Sequence, residues 1–169
     1  MPLCLRATAN DTIGTVGAVT NISQAVTTQY SLPATLSLAL TCKNDEIEID
    51  GNFILQYTAT VTDGPVGYID QTIINIYQGT TATGTPVYTT GTLQRTHNRA
   101  NAGTYVERWI VPIQYIGNPA LPVTENKVNY TITVQSTATD NPTSASLTLS
   151  AVTLQQYTVS AREIPDCDL

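Results

Sequence analysis

The clearest hydrophobic pattern in this sequence lies within residues 45–62. Apolar side chains occupy every second position over residues 53–61, and threonine or glutamine fills most of the positions between them. Successive side chains of a β-strand point to opposite faces, so this alternation predicts a strand with one buried face and one threonine-rich face. Upstream, Ile47 and Ile49 alternate with acidic residues, and Gly51 follows them. The stretch therefore predicts two linked strands, of which the first is acidic-faced and the second builds the core.

Similar patterns recur along the rest of the chain, separated by turn residues. They predict further strands at residues 34–42, 68–78, 104–116, 127–137 and 144–160. Pro112 has no N–H to donate to a β-ladder, so the strand that carries it is expected at a sheet edge or at a bulge. Strands at roughly ten-residue spacing, with Gly and Pro turns between them, predict an all-β sandwich or barrel of seven to nine strands.

The 169 residues are enough for one domain with a substantial core. Residues 1–33 are predicted to be an N-terminal arm, because they are rich in small polar residues and alternate only weakly. Such an arm would form irregular edge strands or lie across a neighbouring subunit. Residues 34–161 are predicted to form the sandwich, and residues 162–169 a polar C-terminal tail.

The composition excludes several classes of function. Charged residues make up 12% of the chain and the net charge is -6, with Lys43 and Lys127 as the only lysines. Binding to nucleic acid or to an anionic membrane requires clustered Lys and Arg, so neither partner is expected. The sequence contains no apolar run of about 18 residues, so no transmembrane helix is predicted. No secretory signal peptide is recognised at the N-terminus. The chain is therefore expected to act where it is made, to leave the cell by another route, or to be a mature form.

The passage EIEIDGNFILQYTATV resembles the I-x-I-x-x-x-G-x-F/Y-x-I/L-x-Y passage of C1q/TNF-like jelly rolls. The resemblance continues in IINIYQGTTATGTPVY and in the late pair NYTITVQST and TSASLTLSAVTLQQY, and it covers residues 45–158. It implies an all-β fold, a single jelly-roll (C1q/TNF-like) β-sandwich of about eight antiparallel strands with an extended N-terminal arm.

Within that group, the chain resembles bacterial spore-surface proteins, namely exosporium tip domains and endospore-appendage subunits. The shared features are a composition rich in Thr, Asn, Gln and Ala and a low lysine content. The collagen-like Gly-X-Y stalk that often precedes a tip domain does not occur in this sequence. The resemblance therefore favours an appendage subunit, whose arm reaches into its neighbours and often carries cysteine.

Three cysteines, Cys4, Cys42 and Cys167, are the candidate site residues. They show no C-x-x-C spacing of a metal site, and an odd number cannot pair completely within one chain. One interpretation is intersubunit disulfides, with Cys4 of one copy bonded to Cys42 or Cys167 of another. The alternatives are one internal disulfide with a free thiol, or three reduced thiols in a cytosolic setting.

Two groups of charged residues are candidate chemical sites. The carboxylates within residues 45–50 offer hard oxygen ligands for calcium, but no loop supplies further ligands at a recognisable spacing, so a solvated acidic face is favoured. His97 is the only histidine, and it lies between Arg95 and Arg99 without a recognisable nucleophile. We expect His97 to be exposed, and Arg95, Arg99 and Asn101 to contact an acidic neighbouring subunit. The sequence predicts no enzyme, cofactor or metal site.

These observations favour a self-assembling structural subunit of an extracellular or spore-surface filament, whose partner is the chain itself. β-edge pairing, exchange of the N-terminal arm and intersubunit disulfides would join the copies. One alternative is a C1q/TNF-like trimeric module that binds carbohydrate or protein. Another is a viral coat or decoration protein. No small-molecule ligand is indicated.

Overall fold

The computed structural model describes the backbone of residues 15–40, 45–119 and 127–164, and the side chains of these ranges from residue 22 onward. Within them the fold is all-β. The strands are β1 (Thr15–Ala25), β2 (Tyr30–Ser31), β3 (Leu36–Ala39), β4 (Glu46–Val61), β5 (Val66–Gln78), β6 (Tyr88–Thr89), β7 (Leu93–Arg99), β8 (Gly103–Gly117), β9 (Lys127–Asp140), β10 (Leu147–Leu149) and β11 (Thr153–Ile164). None of the described residues belongs to a helix long and apolar enough to cross a membrane.

The strands form two antiparallel sheets. In sheet A, β4 pairs with β8 on one side and with β11 and β10 on the other, and β1 pairs with the far side of β11. In sheet B, β9 pairs with β5 on one side and with β2 and β3 on the other, while β6 and β7 pair with the far side of β5. The described part of the chain thus contains eleven strands, several of them only two to four residues long.

β4 confirms the core-building strand that the alternation predicts, but its acidic and apolar halves are one continuous strand. The predicted break at Gly51 is wrong because Gly51 has the same parity as Ile49 and Phe53 and faces the core with them. A Cβ at position 51 would lie 3.0 Å from the carbonyl oxygen of Thr158 and 3.2 Å from the side chain of Ile113. The glycine therefore allows close packing inside the sandwich and does not make a turn.

The hydrophobic core fills the space between the two sheets. Its largest fully buried side chains come from both sheets and include three tyrosines: Tyr68, Tyr130, Tyr157, Phe53, Leu36, Leu38, Ile47, Ile49, Leu55, Ile74, Ile76 and Ile132. β4, β5 and β9 each contribute every second side chain to this layer, as the pattern predicts.

β8, which carries Pro112, pairs only with β4 among the described strands, so the predicted edge position is confirmed. Both backbone groups of Thr58 bond to Ser150, on the side of β4 that is away from β8. The even-numbered residues of β4 therefore direct their backbone N–H and C=O groups away from β8. The β8 residues that lie opposite them direct their own N–H and C=O groups away from β4, toward the outer edge of the sheet. Pro112 is one of these partners, so its missing N–H costs no bond to β4.

Residues 15–33, within the predicted arm, contribute β1 and β2 to the sheets of the same chain. β1 is an irregular edge strand with register shifts after Val16 and Thr20, one of the two forms expected of the arm. Threonine-rich segments can pair through their backbones without a strong hydrophobic alternation. At the other end β11 continues to Ile164, three residues beyond the expected boundary at 161.

Candidate functional site

Five charged or titratable side chains meet between the sheets, on the side of the sandwich where β7 and β8 form the edges. Asp70 comes from β5 and Glu107 from β8, and β7 contributes Arg95, His97 and Arg99 at every second position. Strand alternation places these three β7 residues on one face. We call the five residues the ionic cluster.

Asp70 is the centre of one half of this cluster. Its side chain is 1% exposed, and Nη2 of Arg95 lies 2.5 Å from its Oδ2. The Tyr57 hydroxyl donates to the same oxygen at 2.9 Å, and Nε2 of His97 lies 3.1 Å from it. Nε of Arg95 reaches Oδ1 at 3.1 Å. Both oxygens of this buried carboxylate therefore have donors, as a buried charge requires.

Glu107 is the centre of the other half, which repeats the same plan. The Tyr68 hydroxyl donates to Oε1 at 2.5 Å, and Arg99 donates to this oxygen as well. Nδ1 of His97 lies 3.6 Å from Oε2. Each half thus combines one buried carboxylate, one tyrosine hydroxyl and one arginine, and the imidazole lies between the two carboxylates.

His97 is not exposed, contrary to the sequence-based expectation. Its side chain is 12% exposed, and its ring stacks on that of Tyr68 with the centroids 4.8 Å apart. The expectation is wrong because the polar segment around His97 forms a strand with an inward face, although it has no apolar alternation that would indicate one. The sequence contains two signals of this arrangement, the spacing R-x-H-x-R and the carboxylate of Asp70 inside a largely apolar strand.

The two arginines of the cluster also face aromatic rings on β8. The guanidinium of Arg95 lies 4.4 Å from the centroid of the Trp109 ring, and that of Arg99 lies 4.7 Å from the Tyr105 ring. Arg95 alone makes one more contact, because its Nη1 donates to the carbonyl oxygen of Arg108 at 3.0 Å. These contacts fasten the edge of sheet B to the edge of sheet A. The charges expected to meet a neighbouring subunit are therefore paired within the chain.

The surroundings shift the pKa values within the cluster. Burial alone would raise the pKa of Glu107, but the hydrogen bonds from Tyr68 and Arg99 outweigh it, so the pKa lies below the ordinary 4.5. Burial, together with the adjacent carboxylate of Glu107, raises the pKa of Tyr68 to about 12. Burial and the charge of Asp70 likewise raise the pKa of Tyr57. These pKa shifts favour an ionised Glu107 and neutral hydroxyl groups on Tyr57 and Tyr68.

The acidic residues of β4 lie elsewhere, on or near the outer face of sheet A. Glu48 is buried there by Arg162, with which it forms an ion pair, and by Gln114, whose Nε2 donates to it at 2.9 Å. The hydrogen bonds from Gln114 and Arg162 lower the pKa of Glu48, whereas burial and the neighbouring Glu48 charge raise the pKa of Asp50. Among the described residues, no three His, Cys, Asp or Glu side chains are grouped to hold a metal ion.

The outer face of β8 carries an exposed row of apolar side chains. Val106 is 62% exposed, Ile110 59% and Ile116 51%, and Ile110 lies opposite Ile54 of β4. The alternation that predicts this strand does not identify its outward-facing residues. The signal in the sequence is that β8 is apolar at several even positions too, which is unusual for a strand with a solvated face. We call this row the β8 outer face.

Cys4, Cys42 and Cys167 lie outside the described residues, so their predicted disulfides stay a prediction. An open depression of about 440 Å³ lies on sheet A and is lined by residues 50–52 and 112–114, away from the ionic cluster. No protein-family model matches this chain, and no curated protein matches it.

Proposed function

We propose that this chain is a structural subunit that assembles with copies of itself through the two edges of sheet A. The observation that carries the proposal is the contrast between the edges of the two sheets. Two edge strands of sheet A are long, since β1 has 11 residues and β8 has 15, while the three-residue β10 lies at an edge beside β4. An uncovered edge of this length offers a row of backbone groups to another strand.

The edge strands of sheet B have features that oppose the addition of a strand from another molecule. β2, β3 and β6 are two, four and two residues long, and β7 carries three inward-pointing cationic or titratable side chains. Short edge strands and inward-pointing charges both discourage strand addition. Sheet A has fewer such features for the length of its edges: β1 contains no charged residue and no proline but has two register shifts, and β8 carries the inward-pointing Glu107 with Arg108 and Pro112, all within residues 107–112. Residues 103–106 and 113–117 of β8 carry neither charge nor proline.

The strand directions of sheet A suit open-ended growth. Every neighbouring pair in the order β1-β11-β4-β8 is antiparallel, so the two edge strands β1 and β8 run in opposite directions. A second copy displaced sideways without rotation would bring its β1 antiparallel to β8 of the first. A head-to-tail contact that repeats by displacement does not close, and it produces a filament.

We further propose that the sandwich is a jelly roll of the type found in spore-surface subunits. The eight principal strands are β1, β3, β4, β5, β7, β8, β9 and β11. Numbered in this sequence, they lie in the order 1-8-3-6 in sheet A and 2-7-4-5 in sheet B. Sheets that place the first strand beside the last support a jelly-roll connection. We also propose that the protein lies at a cell or spore surface and has a structural role without catalysis. Cys4, Cys42 and Cys167 would form disulfides between subunits.

A lysine on the β8 outer face tests this proposal. Ile110→Lys adds a charge to the edge strand at a position that is 59% exposed, so the single chain should keep its stability within about 0.5 kcal/mol. Because edge lysines oppose strand pairing, the variant should stay monomeric by sedimentation and form no filaments in electron micrographs. Val87→Lys is the matched control, since Val87 is also exposed but lies in the loop before β6.

Filaments from the wild type and from Val87→Lys, but not from Ile110→Lys, would agree with the proposal. Filaments of equal length from all three proteins would contradict a role for the β8 edge. A wild type that stays monomeric under all conditions, or that forms only closed trimers, would contradict the proposed function itself and favour a binding module.

A further inference from the structure

The outward row of backbone groups on β8 is interrupted at its middle. The even-numbered residues turn their N–H and C=O groups toward this edge, as shown above for the partners of β4. The carbonyl of Arg108 is already occupied, because Nη1 of Arg95 donates to it at 3.0 Å. Four residues later, Pro112 offers no N–H. An incoming strand therefore finds acceptors and donors toward both ends of β8, but near its centre it finds an acceptor that Arg95 already uses.

We infer that Arg95 gates this edge and controls how readily a second copy of the chain adds its strand. The inference rests on the proposed function, because the incoming strand is the antiparallel β1 of another subunit. While Arg95 bonds to Arg108, an incoming N–H must either share this carbonyl oxygen with the guanidinium or displace it, so pairing across the middle of β8 is weakened. Once the guanidinium turns away, the carbonyl becomes available and the ladder can continue as far as Pro112.

The contacts of Arg95 fit such a gate. Its side chain is 29% exposed, so it can be rehydrated when it leaves Arg108. Because the guanidinium is planar, turning away from Arg108 also breaks the bonds of Nε and Nη2 to the buried carboxylate of Asp70. The same side chain therefore ties an edge contact to the ionic cluster. Any change that weakens the pair with Asp70 also loosens the hold on the carbonyl of Arg108.

Arg99 supplies an internal control, because it shares the main contacts of Arg95 except the one with the edge, although its Nε donates to the Tyr68 hydroxyl and not to a carboxylate. It is 31% exposed, pairs with the buried carboxylate Glu107 and lies over the ring of Tyr105. No contact of Arg99 with a β8 carbonyl is found in the described structure. A difference between equivalent substitutions at the two arginines therefore reports the edge contact itself, rather than a general loosening of the cluster.

The test compares Arg95→Met with Arg99→Met, since methionine keeps an apolar stem over the aromatic ring and removes the donors. Purified wild type and both variants are assembled at matched concentrations, and light scattering and sedimentation give the critical concentration of each. Arg95→Met should assemble at a critical concentration about fivefold lower than the wild type, the effect of one backbone hydrogen bond gained without displacement. Arg99→Met should assemble as the wild type does.

Folding is checked with the pairs Asp70→Asn/Arg95→Met and Glu107→Gln/Arg99→Met, in which no buried carboxylate loses its arginine. Urea denaturation of all four proteins shows whether the matched variants lose similar stability. The double variant at Asp70 and Arg95 should retain the lower critical concentration, because it too lacks the donor to Arg108.

Equal critical concentrations for Arg95→Met and the wild type would overturn the gate and leave the proposed function standing. Faster assembly of both arginine variants would also overturn it, because the cause would then be a loosened cluster. Absence of assembly in every protein would contradict the proposed function and the gate together, whereas assembly of Arg95→Met alone would support both.

Discussion

Tyr57 and Tyr157 are both buried in the sandwich, yet their hydroxyl groups have opposite surroundings. The Tyr57 hydroxyl donates to Asp70 at 2.9 Å. The Tyr157 hydroxyl has no hydrogen-bond partner among the residues that the structure describes, and its ring stacks on Phe53. A hydrogen bond to a charged group stabilises a fold, whereas a buried hydroxyl without a partner costs desolvation.

The two tyrosines therefore predict opposite results for the same substitution. Tyr57→Phe should lower the free energy of unfolding by about 2 kcal/mol, because it removes a donor from the buried Asp70 carboxylate. Tyr157→Phe should leave the stability unchanged or raise it slightly. Urea denaturation of both variants measures the difference. Equal losses in the two variants would contradict the assigned role of the Tyr57–Asp70 bond.

At the residue scale, the sequence predicts which apolar side chains are buried much better than it predicts buried charges. Alternation places Phe53 and Ile74 in the core correctly. The burial of His97 and Asp70 is not predicted, because a charged or titratable residue is expected to be exposed unless its partner is known. These two partners lie 27 residues apart on different strands. Only pairing of β5 with β7 brings them together.

At the scale of elements, Glu107 shows how the ionic cluster joins the sheets. It belongs to β8 of sheet A, but its donors Tyr68 and Arg99 belong to β5 and β7 of sheet B. The pKa of Glu107 lies below its ordinary value in the fold. A carboxylate with a lowered pKa contributes stability above its unfolded pKa, and this contribution disappears as the pH falls through the folded pKa.

Acid should therefore weaken the contact between β7 and β8, and Glu107→Gln should remove this dependence. At pH 7 the variant is expected to be less stable than the wild type by about 2 kcal/mol, because it loses charge-assisted hydrogen bonds. The difference should shrink toward zero as the pH falls below about 4. Urea midpoints across this range measure it.

Glu46→Gln is the control for the acid experiment, because Glu46 lies exposed on β4. Its stability curve should run parallel to that of the wild type. If the curve of Glu107→Gln also stays parallel to the wild type down to about pH 3, the ion pairs of Glu107 do not contribute as argued.

Strand positions could be predicted from the sequence because each long strand carries its own alternation. The edge position of β8 followed from Pro112, and the threonine-rich face of β4 followed from parity. β1 could not be assigned with the same clarity, because its residues alternate weakly and its pairing with β11 depends on backbone bonds between distant segments. The β8 outer face could not be predicted because β8 has apolar residues on both of its faces, so the sequence does not show which of them are exposed.

At the scale of the whole molecule, the two sheets differ in the length and the charge of their edge strands. Sheet B ends in short strands and in β7, whose cationic side chains turn inward to Asp70 and Glu107. Among the described strands, those at the edges of sheet A are the long β1 and β8 and the three-residue β10. The all-β class follows from composition and alternation, but this asymmetry emerges only when the strand order is known, since an edge is a property of the sheet.

Hydrogen exchange at β8 tests the central claim most directly, because alternate amides of one strand face different partners. In single chains the N–H groups of Val106 and Ile110 point to the outer edge and should exchange quickly, whereas those of Val111 and Ile113 point to β4 and should exchange slowly. In filaments the amides of Val106 and Ile110 should slow by at least about tenfold, and those of Val111 and Ile113 should stay slow. Filaments in which Val106 and Ile110 exchange as quickly as in single chains would contradict assembly through the β8 edge.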